Sequence, residues 1–288
     1  MSLSLRAMMP TTSPMAALSA LPTCASPYCP RPATLWQRWW ARHEGVWLHG
    51  DWYCSQDCFH EGLYRLLELA QLAPPKPPRP ANRLPLGLVL LSQGDITAGQ
   101  LREALQRQKE AKKGKIGEWL VGMGAISEQQ VRAALAVQQG CPLLNLQQPQ
   151  WLDARLDWPM SLVRRYRAVP VFHDPARSLL YVGSLDTVDR SFLYSVEQIL
   201  RCRTEPCIIP TSAYEQHLEL RRGRQESESI EIHQRHTTVE MTRTIGNYAA
   251  QIHAERCGLV RCEDRLWIRL ESPRDAHLDM LFRAPGSS

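Results

Sequence analysis

Two stretches of this chain repeat one another thirty residues apart, and that periodicity constrains the fold more than any other feature. PLGLVLLSQGDITAGQLREALQRQ occupies 85–108, and KIGEWLVGMGAISEQQVRAALAVQ occupies 115–138. In register, Gly87 matches Gly117, Leu90 matches Leu120, Gly94 matches Gly124, Ile96 matches Ile126 and Ala104 matches Ala134. Each copy reads as a helix pair. A short helix carries Leu90 or Leu120 inward, and Gly94 or Gly124 ends it with a left-handed cap. Thr97-x-x-Gln100 and Ser127-x-x-Gln130 have the form of capping boxes that start a second helix. The second helices are expected to pack through Leu101, Ala104 and Leu105, and through Val131, Ala134 and Leu135. Two such pairs stacked by pseudo-symmetry make a four-helix unit.

A second constraint lies upstream. Cys24-x4-Cys29 and Cys54-x3-Cys58 have metal-ligand spacing. Between the pairs, GVWLHGDWYC (45–54) places apolar residues around a tight turn and reads as a β-hairpin. After Cys58, Leu63, Leu66, Leu67 and Ala70 recur at helical spacing. The order knuckle, hairpin, helix resembles a treble-clef zinc finger. Zn2+ takes four ligands tetrahedrally, and a site closed by four thiolates is structural, with no open position for water. A module of about 50 residues buries too little apolar surface to fold alone, so the metal would supply folding free energy. His43, His49 and His60 are alternative ligands, His60 first among them because it lies two residues past Cys58. Trp36, Trp39 and Trp40 read as core of this module, with a binding face as the alternative.

Nine cysteines in 288 residues, an odd number without framework spacing, argue against a disulfide scaffold and for a reducing cytoplasm. The other five, Cys141, Cys202, Cys207, Cys257 and Cys262, read as small apolar side chains. Hydrophobic residues make up 44% and charged residues 22%, the balance of a folded soluble protein. The net charge of +5 comes from scattered arginines, whereas nucleic-acid binding calls for a clustered basic face. No apolar stretch reaches the roughly 18 residues of a membrane span.

Composition shifts divide the chain. Residues 1–22 read as a disordered tail, 23–72 as the zinc-finger-like module and 73–82 as a stiff proline-rich linker. Residues 83–222 carry the repeat and an α/β continuation, 223–236 read as a polar linker, and 237–288 as a short α+β segment. The expected fold class is therefore α+β and multidomain.

The repeat resembles the tandem motif of the MshE-type N-terminal regulatory domain that begins many GspE/PilB-like ATPases of type II secretion and type IV pilus assembly. Residues 151–220 resemble that domain's small α/β half, including the step Arg165-Tyr166-Arg167-x-Val169-Pro170 into a strand. The continuation predicts a strand at 179–184, a helix at 187–201, a strand at 203–209 and a last helix from 212. MTRTIGNYAAQIHAERCGLVRCEDRLWIRLE (241–271) resembles the start of the next ATPase domain, but no G-x-x-x-x-G-K-[ST] phosphate loop occurs. The resemblance thus implies a regulatory region without the motor, and no enzyme activity.

In that family the domain can bind cyclic di-GMP, each repeat opening Arg-Leu-Gly. The positions implied here are Leu86, Gly87, Leu90, Gly94, Lys115, Ile116, Gly117, Leu120 and Gly124. Pro85 and Lys115 stand where the arginines belong, so the planar fork that stacks and bonds bidentately is missing from both. Receptor and bare scaffold both remain open, and the departures favour scaffold or weak binding. The leading expectation is a cytoplasmic adaptor that contacts an assembly ATPase or an inner-membrane platform protein and carries structural Zn2+. A cyclic di-GMP receptor and a zinc-finger nucleic-acid regulator are the alternatives.

Overall fold

A computed structural model describes residues 22–30, 45–72, 83–144, 156–222, 229–273 and 276–284. The linker at 73–82, nearly all of the tail, Trp36, Trp39, Trp40 and His43 lie outside the described residues. In chain order, β1 (Val46–Leu48) and β2 (Asp51–Tyr53) lead into α1 (Gln56–Leu72). Four helices follow: α2 (Leu86–Gln93), α3 (Ala98–Ala111), α4 (Ile116–Gly122) and α5 (Glu128–Gln139). Next come α6 (Met160–Tyr166), β3 (Ala168–Asp174), β4 (Leu179–Ser184), α7 (Arg190–Leu200), β5 (Arg203–Ile208) and α8 (Thr211–Arg222). The last elements are β6 (Ser229–Ile232), α9 (Thr238–Gln251), β7 (Arg256–Cys262), β8 (Arg265–Glu271) and β9 (His277–Arg283). The fold is α+β, with strand orders β2-β1-β7-β8-β9-β6 and β3-β4-β5.

The chain forms two compact units. The first comprises the described residues up to Leu72, with Arg235–Gly258 and Leu270–Ala276. The second comprises the described residues of Ala73–Gln234, Leu259–Arg269 and His277–Ser288.

In the first unit, the hairpin pairs Val46 with Tyr53 and Leu48 with Asp51. Its two-residue turn puts His49 at φ 52° and Gly50 at φ 94°, the left-handed pair that matches strand twist. The apolar stripe of α1 is Phe59, Leu63 and Leu67, all fully buried. α9 begins in a complete capping box, Thr237 with Glu240, and buries Met241, Ile245 and Ala249. It packs against α1.

In the second unit, the capping boxes at Thr97/Gln100 and Ser127/Gln130 are both formed. Gly94 and Gly124 both take left-handed φ, 75° and 68°. The repeat's core consists of Val89, Leu90, Ile96, Ala104, Leu120, Ile126 and Ala134, so three positions recur as thirty-residue pairs. The pairing extends to packing. A Cβ on Gly87 would meet Leu101 Cδ1 at 2.6 Å, and one on Gly117 would meet Val131 Cγ1 at 2.9 Å. At both positions a larger residue would have to displace the facing side chain, Leu101 or Val131.

The symmetry breaks at one expected core residue. Leu105 is 48% exposed, whereas its counterpart Leu135 packs on the core of the α/β half. Among the described residues, the second repeat has a neighbour on that face and the first does not.

The α/β half follows the predicted element order. β3 pairs antiparallel with β4, and β4 pairs parallel with β5. The Arg165-Tyr166-Arg167 step is built by three different contacts. Arg165 pairs with Asp264 at 2.8 Å, and Tyr166 stacks on Phe192 with ring centroids 4.1 Å apart. Arg167 ends α6 at φ 48° and reaches Asp186. Part of the stretch read as a polar linker is a strand: β6 pairs parallel with β9, Ser229 opposite Asp279 and Ile232 opposite Phe282. Its alternating polar side chains suit a sheet edge, which hid it in the composition.

Candidate functional site

Three local structures bring the cysteines together. Cys24 and Cys29 flank a turn closed by the Cys29 N–H donating to Ser26 O at 3.2 Å. Cys54 follows β2 directly, and Cys58 lies in the first turn of α1. Their four Sγ atoms all lie within 4.8 Å of one another. Cys29 and Cys54 sulfurs are 3.4 Å apart, and those of Cys54 and Cys58 are 4.0 Å apart. A tetrahedral zinc with Zn–S near 2.3 Å requires S···S separations of about 3.8 Å, which these two distances bracket. None of the nine cysteines is in a disulfide. Among the described residues this is the one such ligand group.

The surroundings fit an ion. The Cys54 backbone N–H donates to Cys24 Sγ at 3.5 Å, a contact that favours a thiolate acceptor. Burial, then the hydrogen-bonding Cys29 and Cys24 thiols, pushes the Cys54 thiol well above its ordinary 9.0. A cation among the sulfurs would reverse that balance, since a coordinating thiol is deprotonated outright. Around the knuckle, Ser26 Oγ donates to Glu61 at 2.5 Å, and Arg65 bonds the same carboxylate at 2.7 Å. The Arg65 guanidinium also lies over the Tyr28 ring, 5.4 Å from its centroid. These contacts tie the knuckle to α1. His60, the alternative ligand, stands instead where α1 meets α9, against Gly246. His49 is a turn residue of the hairpin.

The nine candidate nucleotide positions divide between core and caps. Leu90 and Leu120 are fully buried in the repeat's core, and Gly87 and Gly117 are helix-crossing points. Gly94 and Gly124 serve as left-handed turns, while Leu86 and Ile116 are half-buried against the repeat's core. Lys115 is exposed but engaged: its ammonium lies 2.7 Å from Asp186, whose carboxylate also takes Arg167 at 2.8 Å. Arg83, near the missing first arginine, donates to Gln139.

Sequence reasoning missed a buried charge network in the second unit. Arg269, 2% exposed at its side chain, pairs with Asp279 through contacts of 2.8 and 2.6 Å. Trp267 Nε1 donates to the same carboxylate at 2.8 Å, and Arg269 also bonds the Asp157 carbonyl. Asp157 in turn pairs with Arg221 at 2.8 Å. The signal was present: Arg269 and Asp279 are each the one charge in the five central, buried residues of their strands, LWIRL and LDMLF. A lone charge in a strand buried on both faces calls for a partner.

No protein-family model matches the chain. One curated protein, the type IV pilus assembly ATPase PilB of Thermus thermophilus, is 30% identical over 132 residues, 45% of this chain. The chain spans 14% of that relative's length. Among solved structures, MshE with cyclic di-GMP is 25% identical, with a TM-score of 0.42, covering 48% of this chain and 99% of that one. The N-terminal domain of XpsE is 17% identical, with a TM-score of 0.36, covering 47% and 92%. Over this stretch the chain resembles a pilus-assembly ATPase, the same resemblance that the tandem repeat carries.

Proposed function

We propose that this chain is a non-enzymatic, cytoplasmic adaptor of a type II secretion or type IV pilus-like machine. It acts through protein contacts with an assembly ATPase or its inner-membrane platform protein. The observation that carries this reading is the 132-residue match to a pilus-assembly ATPase. Among the described residues no helix is long and apolar enough to cross a membrane. In the first unit, Cys24, Cys29, Cys54 and Cys58 would hold one structural Zn2+, whose chemistry there is to offset part of the charge of the thiolates and fix three chain segments.

The same geometry favours scaffold over nucleotide receptor. Leu90 and Leu120 have no free surface for a purine, and the Lys115 ammonium is already matched by a carboxylate. The dispersed arginines favour protein contacts over a nucleic-acid partner, which would require a basic stripe. The test is binding of the full chain, by interferometry, to the purified assembly ATPase and platform protein of its own cell. Saturable binding to either one supports the reading. Absence of binding to both, with retarded migration of nucleic acid at low salt, replaces it by the regulator reading.

A further inference from the structure

The two units do not follow chain order, and the first one carries a consequence. Residues 235–258 belong with the cysteine cluster rather than with the elements beside them in sequence. Two kinds of contact hold them there. In the sheet, β1 pairs parallel with β7, Trp47 opposite Arg256 and Leu48 opposite Cys257. The Trp47 N–H donates to Glu255 O at 2.8 Å, and the His49 N–H to Cys257 O at 3.4 Å. On the helices, α9 lies on α1 with Gly246 directly against the His60 imidazole, leaving no room there for a Cβ.

Every element that receives this arm is anchored by a ligand. The strand β1 belongs to the hairpin whose second strand runs into Cys54, and α1 begins around Cys58. His60, the residue under Gly246, stands two positions beyond Cys58. The knuckle is pinned to the hairpin by the Ala25 N–H donating to Trp52 O at 2.8 Å. Without a metal, a three-residue strand pair and one helix have little to fix their relative orientation, because a hairpin alone is marginal in water. The arm docks on both at once, so it needs that orientation set.

We propose that the partner of the metal module is this chain's own C-terminal arm, and that metal ligation by the four cysteines governs docking of α9 and β7. This rests on reading the cluster as a metal site. Linkage makes the coupling reciprocal: whatever factor metal adds to docking, docking adds to metal affinity.

The test uses the full chain with reduced thiols, Zn2+ as the metal and hydrogen exchange read by mass spectrometry. Zinc content is measured in the same samples. Chelation is expected to raise amide exchange in 238–251 and 45–67 at least tenfold, while 86–139 stays protected. Cys54→Ser should do the same. In the reverse direction, Gly246→Leu should weaken zinc affinity at least tenfold in a competition titration. A chain that binds no zinc sinks the metal site itself. Stoichiometric zinc with unchanged exchange in 238–251 on chelation, or with unchanged affinity in Gly246→Leu, leaves the site standing and overturns the coupling.

Discussion

At the scale of single residues, the sharpest energetic statement concerns Asp279. Its carboxylate accepts from Arg269 and Trp267, both buried. Removing one member of a buried pair leaves the other charge unmatched, which costs about 3–5 kcal/mol. Asp279→Ala should lower the stability of the second unit by that amount in urea unfolding followed by tryptophan fluorescence. A loss below 1 kcal/mol would mean that water reaches Arg269. Beside this pair stands His277, its side chain 7% exposed and 3.7 Å from Asp279. Burial first, then Arg269, pulls the His277 imidazole below its ordinary 6.5, with Arg221 acting alike and Asp279 and Asp157 opposing. The unfolded chain therefore takes up this proton before the folded one does. Stability should fall as pH drops below 6.5 and level off below the folded value. Asp157, whose carboxyl burial pushes up, works in the opposite direction at lower pH. The His277 share is thus the difference between the natural chain and His277→Gln between pH 7 and 5. No difference would show that His277 is solvated.

At the scale of elements, the repeat was the most legible part of the chain. Its glycines and capping boxes act through the local backbone, so thirty-residue identity translated directly into two helix pairs. Thr97→Ala and Ser127→Ala should each cost about 1 kcal/mol in thermal unfolding, the usual loss when a cap is removed. At Gly87 two effects compete. Alanine in a helix interior gains about 0.5–1 kcal/mol over glycine. Overpacking against Leu101 costs about 1–3 kcal/mol. Packing should win, so Gly87→Ala is expected to destabilise, and a stabilised variant would contradict the tight crossing. Elements whose position depends on distant partners were harder to read. Leu105 and Leu135 occupy equivalent sequence positions, yet only Leu135 meets the α/β half. The strand β6 is a four-residue alternation, Ser229-Ile230-Glu231-Ile232, too short to stand out from the polar run before it, which reads as a linker.

At the scale of the whole molecule, the grouping of the four cysteines was legible because each pair lies close together in the linear sequence. The discontinuous units were not, since nothing in 235–258 announces a partner nearly two hundred residues upstream. The same contrast applies to the candidate nucleotide face. Its residue types could be listed from the repeat, but their burial, and the Asp186 carboxylate facing Lys115, depend on tertiary placement. On the proposed function, the repeat serves as a scaffold for protein contacts rather than as a nucleotide receptor. Calorimetric titration of the full chain with cyclic di-GMP tests this most directly. The account predicts no binding heat up to about 100 μM ligand, a limit that leaves at most about −5.5 kcal/mol of affinity. Saturable heat that is lost on Lys115→Ala would contradict it and make the chain a receptor.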